Sequence, residues 1–112
     1  MGNITFQKIL DEHGRITGLT IGGMLVLENS QELKKEFVSA MDGLSNQVKI
    51  TVSNTTEIDL SCIQLFMGFI KHMNSTHVPV NYQFEWNLDE DQKTLLESVG
   101  LSNELYLNNS YV

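Results

Sequence analysis

Apolar and polar residues alternate from the start of the chain. Ile4 and Phe6 alternate with Thr5 and Gln7, Asp11-Glu12-His13-Gly14 supplies turn chemistry, and an apolar run returns over residues 16–21. This pattern predicts a hairpin. Gly22-Gly23 interrupts the run, so Met24-Leu25-Val26-Leu27 reads as a separate short strand buried on both faces. The period then changes. Leu33, Phe37 and Met41 fall on one helical stripe, with Lys34, Lys35 and Glu36 around the other side. Asn29 with Glu32 three positions on has capping spacing, which predicts a helix over residues 30–42 ending at Asp42-Gly43.

Val48, Ile50 and Val52 alternate with Lys49, Thr51 and Ser53, the period of a strand with one face in the core. A polar stretch, 54–59, leads to a second predicted helix over residues 61–74. Its main apolar face carries Ile63, Phe66, Met67, Ile70 and Met73, and Leu65 and Phe69 lie off that stripe. Val78, Val80, Tyr82, Phe84 and Trp86 alternate with polar residues to mark another strand, with Pro79 near its start or on an edge. Asn87 with Glu90 repeats the capping spacing, and Leu88, Leu95, Leu96 and Val99 predict a third helix ending at Gly100. Residues 108–112 are expected to fray. The predicted order is an N-terminal β-hairpin followed by βαβαβα, an α/β fold with a mixed, largely parallel sheet packed with helices.

Composition narrows what such a fold can do. The 112 residues match one ordinary domain, and 41% apolar with 19% charged residues fit a packed core rather than a disordered chain. Fourteen acidic against seven basic residues give a net charge of −7, which disfavours binding to nucleic acid or anionic lipid. One cysteine, Cys62, makes no internal disulfide, no secretory signal or membrane-spanning run is present, and a cytoplasmic location is expected. The Asn-x-Ser/Thr sequons at Asn3, Asn54, Asn74 and Asn108 are most simply chance there.

Catalytic chemistry is sparse. His13, His72 and His77 fall in a turn, a helix and a loop without metal-ligand spacing, so no metal or other cofactor is expected. The glycines match neither a dinucleotide fingerprint nor a P-loop. Cys62, early in a helix, is open to two readings: an activated thiol or a small packed residue. The segment with most to offer is Glu57-Ile58-Asp59-Leu60-Ser61-Cys62-Ile63-Gln64-Leu65, where a loop following a parallel strand enters an apolar helix. Ser61 with Gln64 has the spacing of a capping box, and Asp59 could equally be the cap. Alternatively, Ser61 is a phosphorylation switch: unpaired helix amides and the dipole tolerate a phosphate there, and the added charge beside Glu57 and Asp59 would repel an acidic partner or recruit a basic one. Leu65 and Phe69 either form the apolar contact beside that switch or are buried under a neighbouring element.

Three ordered segments carry a family resemblance: Gly23 to Leu33 (GMLVLENSQEL), Thr56 to Leu65 (TEIDLSCIQL) and Leu95 to Leu101 (LLESVGL). Together they resemble a STAS domain, the fold of bacterial anti-sigma-factor antagonists, over residues 4–107 of a single domain, 1–112. In that family an Asp-Ser-Ser-Gly motif carries a regulatory phosphoserine, which falls on Ser61 here, with Leu60 in place of the first serine and Cys62 in place of the glycine. The resemblance implies a non-enzymatic module in a partner switch. A kinase that is also an anti-sigma factor, or a histidine-kinase-like ATPase, would bind the unphosphorylated protein and release the phosphorylated one. The implied contact residues are Asp59, Leu60, Ser61 and Cys62, with Leu65 and Phe69 beside them. The Asp-Leu-Ser-Cys-Ile-Gln form is also similar to small stand-alone STAS proteins. These include chemotaxis-type signalling partners and the cytoplasmic STAS subunit of bacterial lipid-transport ABC systems, which implies an alternative role as a constitutive accessory subunit, with Ser61 only a helix cap and contact residue.

Overall fold

The computed structural model describes residues 2–75 and 80–98, together with the backbone of 109–111. The chain runs through β1 (Ile4–Leu10), β2 (Ile16–Leu25), a 3-10 turn (Leu27–Asn29), α1 (Ser30–Met41), β3 (Leu44–Ile58), α2 (Leu60–Ser75), β4 (Asn81–Trp86), α3 (Glu90–Ser98) and β5 (Asn109–Tyr111). Among the described residues, five strands form one sheet in sequence order. β1 pairs antiparallel with β2, and every other neighbouring pair is parallel. The α/β class and the mixed, largely parallel sheet are therefore as the sequence predicts.

Strand after strand is added in the same direction, and right-handed crossovers of that order put successive helices on one face of the sheet. There, Phe37 of α1 lies edge-on to Phe66 and stacks on Phe69 of α2, with ring centroids 5.2 and 4.6 Å away. Phe66 in turn packs against Phe84 and Trp86 of β4, and Phe6 of β1 reaches Phe37. The opposite face is polar. Lys49 and Thr51 alternate with buried Val48, Ile50 and Val52, and Lys49 pairs with Glu85 across the sheet at 2.9 Å.

Five details differ from the sequence reading. Gly22-Gly23 does not end a strand: β2 runs through both to Leu25, with register irregularities on its β3 side. A Cβ on Gly22 would run into the Ser53 carbonyl oxygen, and Gly23 adopts φ +86°, so these glycines let β2 keep its pairing through a distortion. β3 extends to Ile58, passing through Asn54 at φ 54°, where a loop was expected. Asn29 does not cap α1, because its amide donates to the Met24 and Gly2 carbonyls at 2.9 and 3.2 Å. α3 is capped by Asp89 rather than Asn87: the Asp89 carboxylate accepts the Gln92 N–H at 2.8 Å. Asn109–Tyr111, expected to fray, pairs with β4 as β5. Val78, Pro79, Val99 and Gly100 lie outside the described residues. Among the described residues, no helix is long and apolar enough to cross a membrane.

Candidate functional site

β2 and β3 are adjacent parallel strands, so the turns at their carboxyl ends lie side by side. Asp59 joins them. It follows the last residue of β3 and precedes the first of α2, and its N–H donates to the Leu25 carbonyl at the end of β2 at 2.9 Å. Its carbonyl accepts the Ile63 N–H at 3.1 Å, opening the helical hydrogen-bond ladder. Its carboxylate then works in two directions. Oδ1 accepts the Ser61 hydroxyl at 2.5 Å and the Cys62 N–H at 3.4 Å, and Oδ2 accepts the Leu27 N–H at 2.9 Å from the 3-10 turn. One side chain thus caps α2 and fastens the neighbouring turn to it.

The carboxyl of Asp59 is held below its ordinary pKa. Partial burial pushes it upward, but the hydrogen bonds from Ser61, Leu27 and Cys62 favour the charged form and together outweigh burial. The cap expected from Ser61 and Gln64 is not the arrangement found: Ser61 is the second residue of α2 and donates its hydroxyl to the true cap, Asp59. Donation fixes the hydroxyl rotor, which leaves the oxygen's lone pairs directed away from the carboxylate.

The expected contact residues separate by burial. Leu60 is 45% exposed beside half-buried Ser61 and Asp59. Cys62 is fully buried, its thiol directed at the Val26 carbonyl at 3.6 Å. Burial, with the Asp59 charge nearby, pushes the Cys62 pKa up to about 11, so the thiol is protonated at neutral pH and is no activated nucleophile. Iodoacetamide should alkylate Cys62 at least about a hundredfold more slowly in the native protein than in urea-unfolded chain, as read by intact mass over time. Phe69, expected on a contact face, is only 1% exposed and belongs to the core. Leu65 is half-buried and packs against the same core. The reason is tertiary: α2 buries one face on the sheet and a second against α1, so its apolar surface is wider than a single stripe.

Leu27 is the residue the sequence reading missed. The apolar run places it in a strand, yet it begins the 3-10 turn, is 64% exposed and has its N–H held by Asp59. Leu27 and Leu60 are two exposed leucines attached to the two turns that Asp59 ties together. Glu28 is exposed on the first of these turns and Glu57 near the end of β3, making the surroundings acidic. Next to the junction, an open cavity of about 310 Å³ is lined by Glu57, Asp89, Asp91 and Gln92 among others, and the Gln92 amide donates to the Thr55 carbonyl at 3.0 Å.

His13 is exposed in the β1–β2 turn, His72 is half-buried on α2, and His77 lies outside the described residues. Among the described residues, no group of three or more His, Cys, Asp or Glu side chains is arranged to hold a metal. Compared with known proteins, the chain matches no family model and no curated protein.

Proposed function

We propose that this chain is a non-enzymatic protein-binding module of the STAS, anti-sigma-factor-antagonist type, whose contact with a partner is controlled by phosphorylation of Ser61. The observation that carries this reading is the Ser61–Asp59 hydrogen bond at the start of α2, on an accessible junction bordered by Leu27 and Leu60. The carboxylate orients the serine oxygen. A phosphate placed there lies at a helix N-terminus, where the dipole lowers its cost, and next to the Asp59 carboxylate, which raises it. The balance favours a change of surface charge over unfolding of the domain. On a chain already at −7, about two further negative charges between Leu27 and Leu60 repel an acidic partner surface and disrupt apolar contact with both leucines. The partner on this reading is a kinase or histidine-kinase-like ATPase acting as an anti-sigma factor, at work in the cytoplasm.

The same hydrogen bond also favours a second reading. Because the hydroxyl is already engaged by the cap, Ser61 can serve as a fixed part of the contact surface in a constitutive subunit of a lipid-transport ABC system or chemotaxis-type assembly.

Incubation with ATP and the cognate kinase separates the two. The switch predicts a gain of one phosphate in intact mass, absent from Ser61→Ala. No gain in the native protein, or an equal gain in the alanine variant, removes Ser61 as the acceptor. Ser61→Asp should then weaken partner binding by about tenfold or more in calorimetry, and unchanged affinity would count against the charge mechanism.

A further inference from the structure

We infer that the free edge of β1 is a homotypic pairing surface, on which a second copy of this chain adds its own β1 antiparallel about a twofold axis at Gln7. Among the described residues, β1 ends the sheet and pairs only with β2. Three contacts fix which way its main chain faces. The Asn3 carbonyl accepts the Met24 N–H, the Ile9 carbonyl accepts the Thr17 hydroxyl, and the Asp11 N–H donates to the Arg15 carbonyl. Odd-numbered residues therefore turn their N–H and C=O groups to β2. Ile4, Phe6, Lys8 and Leu10 turn theirs outward, as an open row of donors and acceptors.

Natural sheets blunt such edges with proline, charge or a covering element. β1 has no proline, and its one charged residue, Lys8, donates to the Ser39 hydroxyl of α1 at 3.0 Å, which draws the ammonium toward the helix. Ile9 and Leu10 are left 55% and 57% exposed.

The strand is complementary to its own inverse. About Gln7, Ile4 faces the second copy's Leu10, Thr5 faces Ile9, Phe6 faces Lys8, and Gln7 faces Gln7. Ile4–Leu10 and Phe6–Lys8 become the hydrogen-bonded pairs, so each outward-facing residue is used, and both exposed apolar side chains gain a neighbour. Centring on Lys8 instead would set two ammonium groups opposite each other, and centring on Phe6 would leave Ile9 and Leu10 beyond the partner strand. Charge points to the same place. Two copies at −7 repel each other overall, but β1 carries no acidic residue, so contact here brings no carboxylates together.

The register makes a specific test possible, because Gln7 meets Gln7 as a non-hydrogen-bonded pair. The Cα separation of such a pair, about 4.5 Å, lies within disulfide range. In the full chain, Gln7→Cys should form a disulfide-linked dimer on mild oxidation, and buried Cys62 does not compete. Sedimentation equilibrium should show the native chain passing from monomer to dimer with concentration. Gln7→Lys should weaken that dimer by about fivefold, and mixing it with Gln7→Glu should restore it. Gln7 is exposed, so the thermal unfolding of these variants should match the native chain and separates lost pairing from lost folding. A native chain that stays monomeric throughout overturns the inference. So does a dimer in which Gln7→Cys fails to cross-link, since that dimer uses another surface.

Discussion

Phe69→Ala should lower the unfolding free energy by about 3–5 kcal/mol, measured by urea denaturation, whereas Leu60→Ala, nine residues earlier on the same helix, should change it by less than about 0.5 kcal/mol. Phe69 is enclosed between α2, α1 and the sheet, with its ring stacked on Phe37 and Phe37 edge-on to Phe66. Truncation removes the buried ring and leaves a cavity that Phe37, stacked on it from a rigid helix, can only partly fill. Leu60 is open to solvent and loses little. If the two variants instead proved equally stable, Phe69 would not be a core residue and the packing of α1 on α2 would be wrong. The contrast also matters for function, because partner binding lost in Phe69→Ala reports a damaged fold, whereas binding lost in Leu60→Ala reports a contact.

Asp59→Ala should cost about 2 kcal/mol, more than an ordinary exposed cap, because the carboxylate serves two turns. The substitution leaves the Cys62 and Leu27 N–H groups without their acceptor and frees the Ser61 hydroxyl. Asp59→Asn keeps one acceptor oxygen and should recover part of the loss. The pH dependence follows from the lowered pKa. A carboxyl whose folded pKa lies below its unfolded one contributes stability above the unfolded pKa, near 3.9, and loses that contribution as pH falls through the folded value. The stability gap between the native chain and Asp59→Asn should therefore be constant from about pH 6 to 7 and shrink below about pH 4. Comparing these two proteins cancels the contributions of Asp11 and Glu85, whose carboxyls are also held low. A gap unchanged into acid would mean that the Asp59 hydrogen bonds do not favour its charged form in the folded protein.

Much of the architecture was legible because it rests on local periods. Alternation at Val48, Ile50 and Val52 needs only one buried face, and the stripe of Leu33 and Phe37 needs only one sheet to lie on. The junction at Asp59 was legible too, since a polar residue between an apolar strand and an apolar helix has few places to go other than the cap. Its assignment between Asp59 and Ser61 was not, because both residue types cap helices and the choice depends on where the helix begins. Asn29 shows the same limit: its capping spacing is intact, but the Met24 and Gly2 carbonyls come within reach only when β2 and the N-terminal segment fold together.

By itself, then, the sequence determined the α/β class, the order of the helices among the described residues, and the segment on which function is proposed, because each of these follows from patterns within about a dozen residues. Only the tertiary structure decided that Gly22 and Gly23 lie inside one strand, that Phe69 and Cys62 are interior while Leu27 is surface, and that β1 ends the sheet among the described residues. Those outcomes depend on which elements become neighbours. A residue's burial is set by what packs over it, and neither α1 beside α2 nor the end of β2 beside the end of β3 leaves a mark in the local period of the chain.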